Sequence, residues 1–316
     1  MTVTAPTTRR DHAALLRSTE TAPARHRRDG AHPSVASSAL APLLQGGQQR
    51  VAAIAAFDRA VYLEHPDGVL AVETSDGCHL PNGMVLVRSS RDRALGARYR
   101  HAQGTVGGGV VVLDDLRVRV VRWRRARPVL RRTDPQTLRA SVAASWAHLE
   151  ARTGRVPPEL AGPLQDVVAA LRTGDPATAA QLARRTLLGR GPGLTPSGDD
   201  VLAGLLAGVR LLGQAAPQDT TGSLVPAVTR SGAAIAAAGT TSTTALSAAL
   251  LQHAVRGEIA VPAERVLVAL TGHRALVPAL DRLLAIGSSS GRDLTLGLLA
   301  AAELVLHAIE AARREP

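Results

Sequence analysis

The chain has 316 residues, of which 45% are hydrophobic and only 2% aromatic; it contains no lysine and has a formal net charge of +11. This length accommodates one large or two medium domains with a sizeable core. The single cysteine, Cys78, excludes an internal disulfide framework and a cysteine-based zinc cluster, and the lack of lysine excludes a Walker-type phosphate-binding loop.

The N-terminal segment, residues 1–32, is rich in Thr, Ala, Pro and Arg and holds little apolar surface to bury, so we expect a disordered extension. Its twin arginine, Arg9-Arg10, is not followed by an apolar signal region. No charge-free apolar stretch of membrane-spanning length stands out elsewhere. We therefore expect a cytoplasmic location and no membrane partner.

Residues 33–130 have the pattern of a β-rich domain. Short β-branched runs are separated by the turn dipeptides Asp67-Gly68, Asp76-Gly77 and Asn82-Gly83. Three such dipeptides favour tight hairpins, and so a small antiparallel sheet or barrel. The runs are VAAIAAFDRAVYLEH, GVLAVET, MVLVRSS, GTVGGGVVVL and LRVRVVRW.

Positive charge is concentrated in residues 117–132, which begin with alternating Arg and Val and so predict a strand with one polar face. Three interpretations are open: a solvated face, a surface for a partner subunit or an anion, and a contact with nucleic acid. The last needs base-reading or stacking groups beside the phosphate contacts, and only Trp123 is available. We expect no nucleic-acid partner.

After Pro128 the apolar residues adopt the helical period, and loops rich in Gly, Pro and Ser separate the helical segments. We therefore predict an α+β fold in which an all-helical domain, residues 131–316, follows the β-rich domain. The predicted helices span residues 135–153, 157–173, 176–188, 199–212, 223–238, 244–256, 263–270, 277–285 and 293–314.

One segment, LLGRGPGLTPSGDDVLAGLL at residues 187–206, carries more polar groups than a helix start requires. Thr195, or Ser197 placed three residues before Asp200, would cap the helix that follows. Asp199 and Asp200 also suit the positive end of its dipole. Capping explains one hydroxyl and one carboxylate but not the paired glycines and the second aspartate, so a ligand site is the competing interpretation.

A second segment, residues 290–300, repeats this design. SGRDLTLGLLA and SGDDVLAGLLA are identical at seven of eleven positions, which suggests an internal duplication or a pseudo-twofold pair of loop–helix units. Gly204 and Gly297 lie early in the two helices, where glycine costs about 0.5–1 kcal/mol relative to alanine. Glycines there make sense if two backbones approach closely, so we predict that the helices cross and bring their loops together.

Helix starts of this kind present free N–H groups and hydroxyls, which favour a phosphate or a carboxylate. Asp199, Asp200 and Asp293 place negative charge at the same ends, which would repel an anion. Mg²⁺ bound by the aspartates, neutralisation by Arg190 or Arg292, or an N–H-bearing substrate such as an amide would resolve this conflict. Beyond such a divalent cation on the aspartates, the sequence indicates no cofactor.

A third segment begins at Gly239 and places Thr243 and Thr244 at another helix start, where a cap is the simpler interpretation. His253, further along that helix, is more typical of packing or capping than of catalysis. The candidate catalytic or metal-binding residues are Asp199, Asp200 and Asp293. The candidate substrate-binding residues are Gly191, Gly193, Thr195, Ser197, Gly198, Thr243, Thr244, Ser289, Ser290 and Gly291.

The three segments together resemble a bacterial family of domains of unknown function that includes the third subunit of oxamate carbamoyltransferase (AllH-like), from allantoin degradation. The most specific motif, G-x-GPGLTPSGDD, is intact at residues 189–200, and the resemblance covers about residues 35–310. Ser288 and Ser289 depart mildly from it, since the family has bulkier or threonine residues there. Other matching positions are Thr243, Thr244, Ser247, Ala254, Gly257, Gly287, Ser290, Gly291, Asp293 and Gly297.

The resemblance implies a transferase subunit that works with partner chains, in a complex interconverting carbamoyl phosphate and oxamate with oxalurate and phosphate. Loop N–H groups would bind phosphate or carboxylate oxygens, Thr195, Ser197 and Ser290 would donate hydrogen bonds, and the three aspartates would orient an amide or a metal. Two alternatives are a stand-alone hydrolase with Mg²⁺ or Mn²⁺ on the aspartates, and a non-catalytic scaffold subunit.

Overall fold

The computed structural model describes residues 30–217 and 220–314. Its strands precede its long helices, so the predicted order of a β-rich part and then a helical part is confirmed. The predicted disordered extension, residues 1–32, lies outside the described residues except for its last three, and His32 already begins the first strand.

Eight strands form a closed barrel. They span His32–Ser37 (β1), Gln49–Phe57 (β2), Ala60–His65 (β3), Gly68–Glu73 (β4), Gly83–Leu86 (β5), Gln103–Gly107 (β6), Val110–Leu113 (β7) and Leu116–Arg124 (β8), with a short helix, Ala41–Gln45 (α1), after β1. Their order is β1-β5-β4-β3-β2-β6-β7-β8, and β8 returns to β1. Buried apolar side chains such as Leu63, Leu70 and Val118 fill the interior.

Two pairings in the barrel are parallel, which corrects the expectation of an antiparallel sheet or barrel. β1 pairs with β8, and β4 with β5, in the same direction. Of the three turn dipeptides, only Asp67-Gly68 joins two neighbouring antiparallel strands, β3 and β4. The other two dipeptides lie in the segment that connects β4 to β5, which run in the same direction. The Asn82 side-chain amide donates to the Val69 carbonyl at 2.8 Å and so anchors this connection to β4.

Two other strand predictions had different outcomes. The predicted run at residues 51–65 divides at Asp58 and Arg59 into β2 and β3, which pair with each other. The alternation at the start of β8 is confirmed, because Val118 is fully buried in the barrel while Arg117 is exposed.

Nine helices follow the barrel in the described residues, and each coincides with a predicted helical segment. Asp134 and Asp175 cap two of them by accepting hydrogen bonds from backbone N–H groups, and a proline follows each cap at the first helical position. The helices span Pro135–Thr153 (α2), Pro158–Arg172 (α3), Pro176–Thr186 (α4), Ser197–Ala215 (α5), Leu224–Ser242 (α6), Ala245–Val255 (α7), Val261–Leu270 (α8), Leu276–Leu284 (α9) and Ser290–Ala312 (α10).

α5 and α10 pack against each other with their backbones in direct contact. A Cβ atom placed on Gly297 would lie 2.9 Å from the Gly204 Cα and 2.7 Å from the Leu205 nitrogen, so no side chain fits there. The close approach predicted from the paired glycines is therefore confirmed. It brings together the loop before α5 and the second loop (residues 285–289) before α10, while an internal duplication of the two units stays a prediction.

Among the described helices, α10 is long and apolar enough to cross a membrane by length and composition alone, with a mean hydropathy of 1.6. In this fold, however, 67% of its apolar window is buried. A core helix of a soluble protein has the same composition, and the packing of α10 on α5 accounts for its apolar character.

The barrel contacts the helical part through a small apolar cluster. Val69 of β4 and Tyr62 of β3 pack with Leu246 of α7 and with Leu194. Leu194 belongs to the first loop (residues 187–196), which leads into α5. The barrel therefore supports this loop from one side.

Candidate functional site

The starts of α5 and α10 meet through four hydroxyl groups. The Thr195 Oγ1 and Ser290 Oγ atoms are 2.9 Å apart, and the Ser197 and Ser289 Oγ atoms are 3.4 Å apart. We call this contact the two-loop junction. It forms because the glycine contact holds α5 and α10 together one to two turns further along.

The hydroxyls of the first loop do not cap α5, which corrects the sequence expectation. α5 begins at Ser197 after Pro196, and neither Thr195 nor Ser197 accepts a hydrogen bond from its first turn. The Thr195 hydroxyl contacts Ser290 at the start of α10 and the Ser197 hydroxyl contacts Ser289 of the second loop, and no local spacing specifies either partner. Capping is confirmed at Thr244, whose Oγ1 accepts from the Ser247 N–H at 3.1 Å at the start of α7.

Glycines allow the chain to approach the two helix starts closely. Gly191 has a φ of +115°, and a Cβ there would lie 2.8 Å from the Ser197 nitrogen. Gly198 and Gly291, the second residues of α5 and α10, each lie against a backbone carbonyl at the end of the preceding helix, which leaves no room for a side chain. Gly193 is exposed and has open space around it.

The Asp199 carboxylate connects three segments. Its Oδ1 accepts from the Gly189 N–H at 2.7 Å, and its Oδ2 accepts from the Thr243 hydroxyl at the end of α6. Burial raises the pKa of Asp199, and these hydrogen bonds oppose the shift. Since both oxygens have partners, Asp199 positions the first loop rather than presenting a free carboxylate.

Asp199→Ala is expected to lower the free energy of unfolding by about 2 kcal/mol, because it leaves the Gly189 N–H without its acceptor in a buried site. Urea unfolding measures this loss. Asp166→Ala, on the exposed face of α3, is the control and is expected to stay within about 0.5 kcal/mol of wild type. Equal stabilities of the two variants would show that the Asp199 hydrogen bonds do not hold the loop.

Asp200 and Asp293 lie beside the two-loop junction and each has one oxygen without a partner. Asp200 is 8% exposed and Asp293 is fully buried, and the Oδ2 atom of each has no hydrogen-bond partner. Burial raises the pKa of Asp200 to about 8; the hydroxyls of Ser290 and Thr195 oppose this shift, and the charge of Asp293 adds to it. The Oδ1 of Asp293 accepts from the Arg292 guanidinium at 2.7 Å.

The geometry does not assemble the three aspartates into a metal site. Both oxygens of Asp199 are hydrogen-bonded, and Asp293 pairs with Arg292. Across residues 30–217 and 220–314, no group of three or more His, Cys, Asp or Glu side chains is arranged to hold a metal ion. The Mg²⁺ alternative therefore gains no support from side-chain placement.

A cavity of about 550 Å³ opens beside the two-loop junction, and we call it the arginine cavity. Arg185, Arg190 and Arg292 line it together with Glu159 and Ser197. Sequence reasoning considered Arg190 and Arg292 but missed Arg185 of α4 and Glu159 of α3. Arginine is abundant along the whole chain, and no spacing shows that α3 and α4 flank the first loop.

The barrel contributes one residue that the sequence did not suggest. This residue is Tyr62 of β3. Burial raises the pKa of its phenol, and the acidic groups of Glu73, Cys78 and Asp200 raise it further, so Tyr62 lies within electrostatic range of the Asp200 carboxyl group. His253 is buried in α7, and its Nδ1 is 2.6 Å from the Glu258 Oε2, which agrees with a packing role.

The fold and the site define a protein in which a closed barrel supports a helical part, whose two packed helices α5 and α10 bury a pair of carboxyl groups at a hydroxyl-lined junction. Residues 187–302 match the family described as oxamate carbamoyltransferase subunit AllH, which confirms the predicted resemblance. The matched segment contains both loops and every candidate residue of the helical part. The description names one subunit of an enzyme, which implies partner subunits for the family. No solved structure matches the chain.

Proposed function

We propose that this chain is a subunit of a carbamoyltransferase complex and that its two-loop junction holds a small anionic amide, either carbamoyl phosphate or oxamate. The family match supports the first part of this proposal. The observation that carries the second is the pair of buried Oδ2 atoms, on Asp200 and Asp293, that lack hydrogen-bond partners. A cytoplasmic location, and the absence of nucleic-acid and membrane partners, belong to the same proposal.

An amide ligand would supply the hydrogen-bond donors that the Oδ2 atoms of Asp200 and Asp293 lack. A buried acceptor without a donor costs about 1–3 kcal/mol, and an –NH₂ group supplies two N–H donors in one plane. With a pKa of about 8, Asp200 is mostly protonated at neutral pH, so its carboxyl group is also able to donate to a carbonyl oxygen. Asp293, paired with Arg292, then serves as the acceptor.

In the proposed reaction, the amide nitrogen of oxamate attacks the carbonyl carbon of carbamoyl phosphate. A C–N bond forms, the C–O bond to the phosphate breaks, phosphate leaves with the bonding electron pair, and the proton lost by the nitrogen passes to the departing phosphate. The contribution of this chain is positioning: Thr195, Ser197 and Ser290 donate hydrogen bonds, and the two aspartates orient the amide. Partner subunits complete the enzyme.

Thermal unfolding of the full chain with carbamoyl phosphate, oxamate, oxalurate, phosphate and Mg²⁺, singly and in pairs, tests this proposal. We expect carbamoyl phosphate or oxamate to stabilise wild type, by about 2.7 kcal/mol when its concentration is a hundred times the Kd. Asp200→Asn is expected to lose this stabilisation, whereas the exposed control Asp166→Asn keeps it.

Two results would contradict the proposal. Stabilisation that requires Mg²⁺ and no amide would favour the metal-dependent hydrolase. No stabilisation with any of these compounds would favour a non-catalytic scaffold, in which the two loops serve only to pack α5 against α10.

A further inference from the structure

We infer that the arginine cavity is the subsite for the anionic end of the ligand, a phosphate or a carboxylate group, next to the amide end at the two-loop junction. This inference rests on the proposed function, because it supplies a place for the anionic end of the ligand, to which the carboxyl groups of the junction offer no positive charge. There, Asp200 is buried and mostly protonated, and Asp293 is paired with Arg292. The cavity provides the opposite environment at the same helix starts.

The charge of the cavity lining favours an anion. Arg185, Arg190 and Arg292 line the cavity with one acidic residue, Glu159. Since Arg292 is already paired with Asp293, the other two arginines exceed Glu159 by one positive charge. In the part of the chain that the structure describes, neither Arg185 nor Arg190 forms an ion pair with a carboxylate. A guanidinium group offers paired N–H donors whose geometry matches phosphate and carboxylate oxygens.

One of the arginines is held in place before any ligand binds. Arg292 is only 25% exposed, and its Nε donates to the Asp293 Oδ1. Fixing this side chain in advance reduces the entropy lost on binding. Arg190 is exposed, and its Nη2 donates to the Arg185 carbonyl at 3.2 Å.

Arg292 and Ser197 connect the cavity to the junction. Both line the cavity; Arg292 also pairs with Asp293, and the Ser197 hydroxyl lies 3.4 Å from that of Ser289. A ligand whose anionic end occupies the cavity therefore has its amide end directed toward the two buried aspartates.

Isothermal titration of the full chain with inorganic phosphate and with oxamate tests this inference. Arg185→Gln and Arg190→Gln are each expected to weaken binding of the anion about ten-fold, and the double variant more strongly. Arg184→Gln is the matched control, because it removes the same charge from the same exposed helix end without lining the cavity. It is expected to change affinity less than about two-fold.

The pattern of losses identifies the anion. A loss confined to phosphate indicates that the cavity holds the phosphoryl group, and a loss confined to oxamate indicates that it holds the carboxylate. Affinity is also expected to fall with rising salt, since the cavity is open to solvent.

Failure of this inference and failure of the proposed function are distinguishable. If Arg185→Gln and Arg190→Gln bind phosphate and oxamate as tightly as Arg184→Gln does, or if wild type binds neither anion, the subsite is overturned. If they lose binding but Asp200→Asn still binds carbamoyl phosphate normally, the cavity is an anion site and the role of the junction is wrong.

Discussion

Gly297→Ala is expected to lower the free energy of unfolding by about 3 kcal/mol, even though alanine is the better helix former. The new Cβ would lie 2.9 Å from the Gly204 Cα and 2.7 Å from the Leu205 nitrogen, and closer still to the Val201 carbonyl oxygen. All three are backbone atoms, so no rotamer change relieves the clash and α5 and α10 must separate. Urea unfolding followed by circular dichroism measures the loss.

Gly239→Ala is the control for this substitution. Gly239 lies in α6, and a Cβ there would lie 3.6 Å or more from its nearest neighbours, which is ordinary van der Waals contact, so alanine is expected to stabilise the protein by about 0.5–1 kcal/mol. Alanine at the two positions is therefore expected to change the free energy of unfolding in opposite directions. If Gly297→Ala also stabilised the protein, the backbone contact between α5 and α10 would be disproved.

Asp200→Asn is expected to gain stability relative to wild type as the pH rises. The pKa of Asp200 is about 8 in the folded chain and near 3.8 when unperturbed. Between these values the folded state keeps a proton that the unfolded state has lost, so the stability of wild type decreases as the pH rises through this window and levels off above it. At about 1.4 kcal/mol for each pKa unit, the decrease is on the order of 6 kcal/mol over the whole window, of which about 4 kcal/mol falls above about pH 5.

Asparagine has no such proton, so the variant does not show this decrease. The measurement is the difference in unfolding free energy between Asp200→Asn and wild type from about pH 5 to about pH 9. The buried Glu73, whose pKa burial raises to about 7, titrates in both proteins and cancels from the difference. The exposed control Asp166→Asn is expected to show a constant difference, and a constant difference for Asp200→Asn would mean that Asp200 is ionised throughout.

These two expectations together describe a site that is maintained at a cost in stability. The glycine contact brings two carboxyl groups into a buried position beside four hydroxyls, where the charged form of Asp200 is disfavoured. A variant that is more stable at high pH and no longer binds the ligand would be the usual trade-off between stability and function.

Local patterns were enough to predict much of the helical part and the outline of the site. Helical periodicity, with prolines and aspartates at helix starts, indicated the nine helices that follow the barrel in residues 30–217 and 220–314. The repeated Ser-Gly-x-Asp motif marked the starts of α5 and α10. Gly204 and Gly297 indicated their contact, because glycine within a helix is unfavourable unless backbones meet there.

What the sequence alone determined therefore depends on neighbours within about one helical turn or one hairpin. Only the tertiary structure decided the parallel pairing of β1 with β8, the use of both Asp199 oxygens by Gly189 and Thr243, and the position of Arg185 beside the first loop. Each of these joins segments that are distant in the chain. Such contacts depend on how loops close and on which elements pack together, and the spacing of residues in the sequence specifies neither.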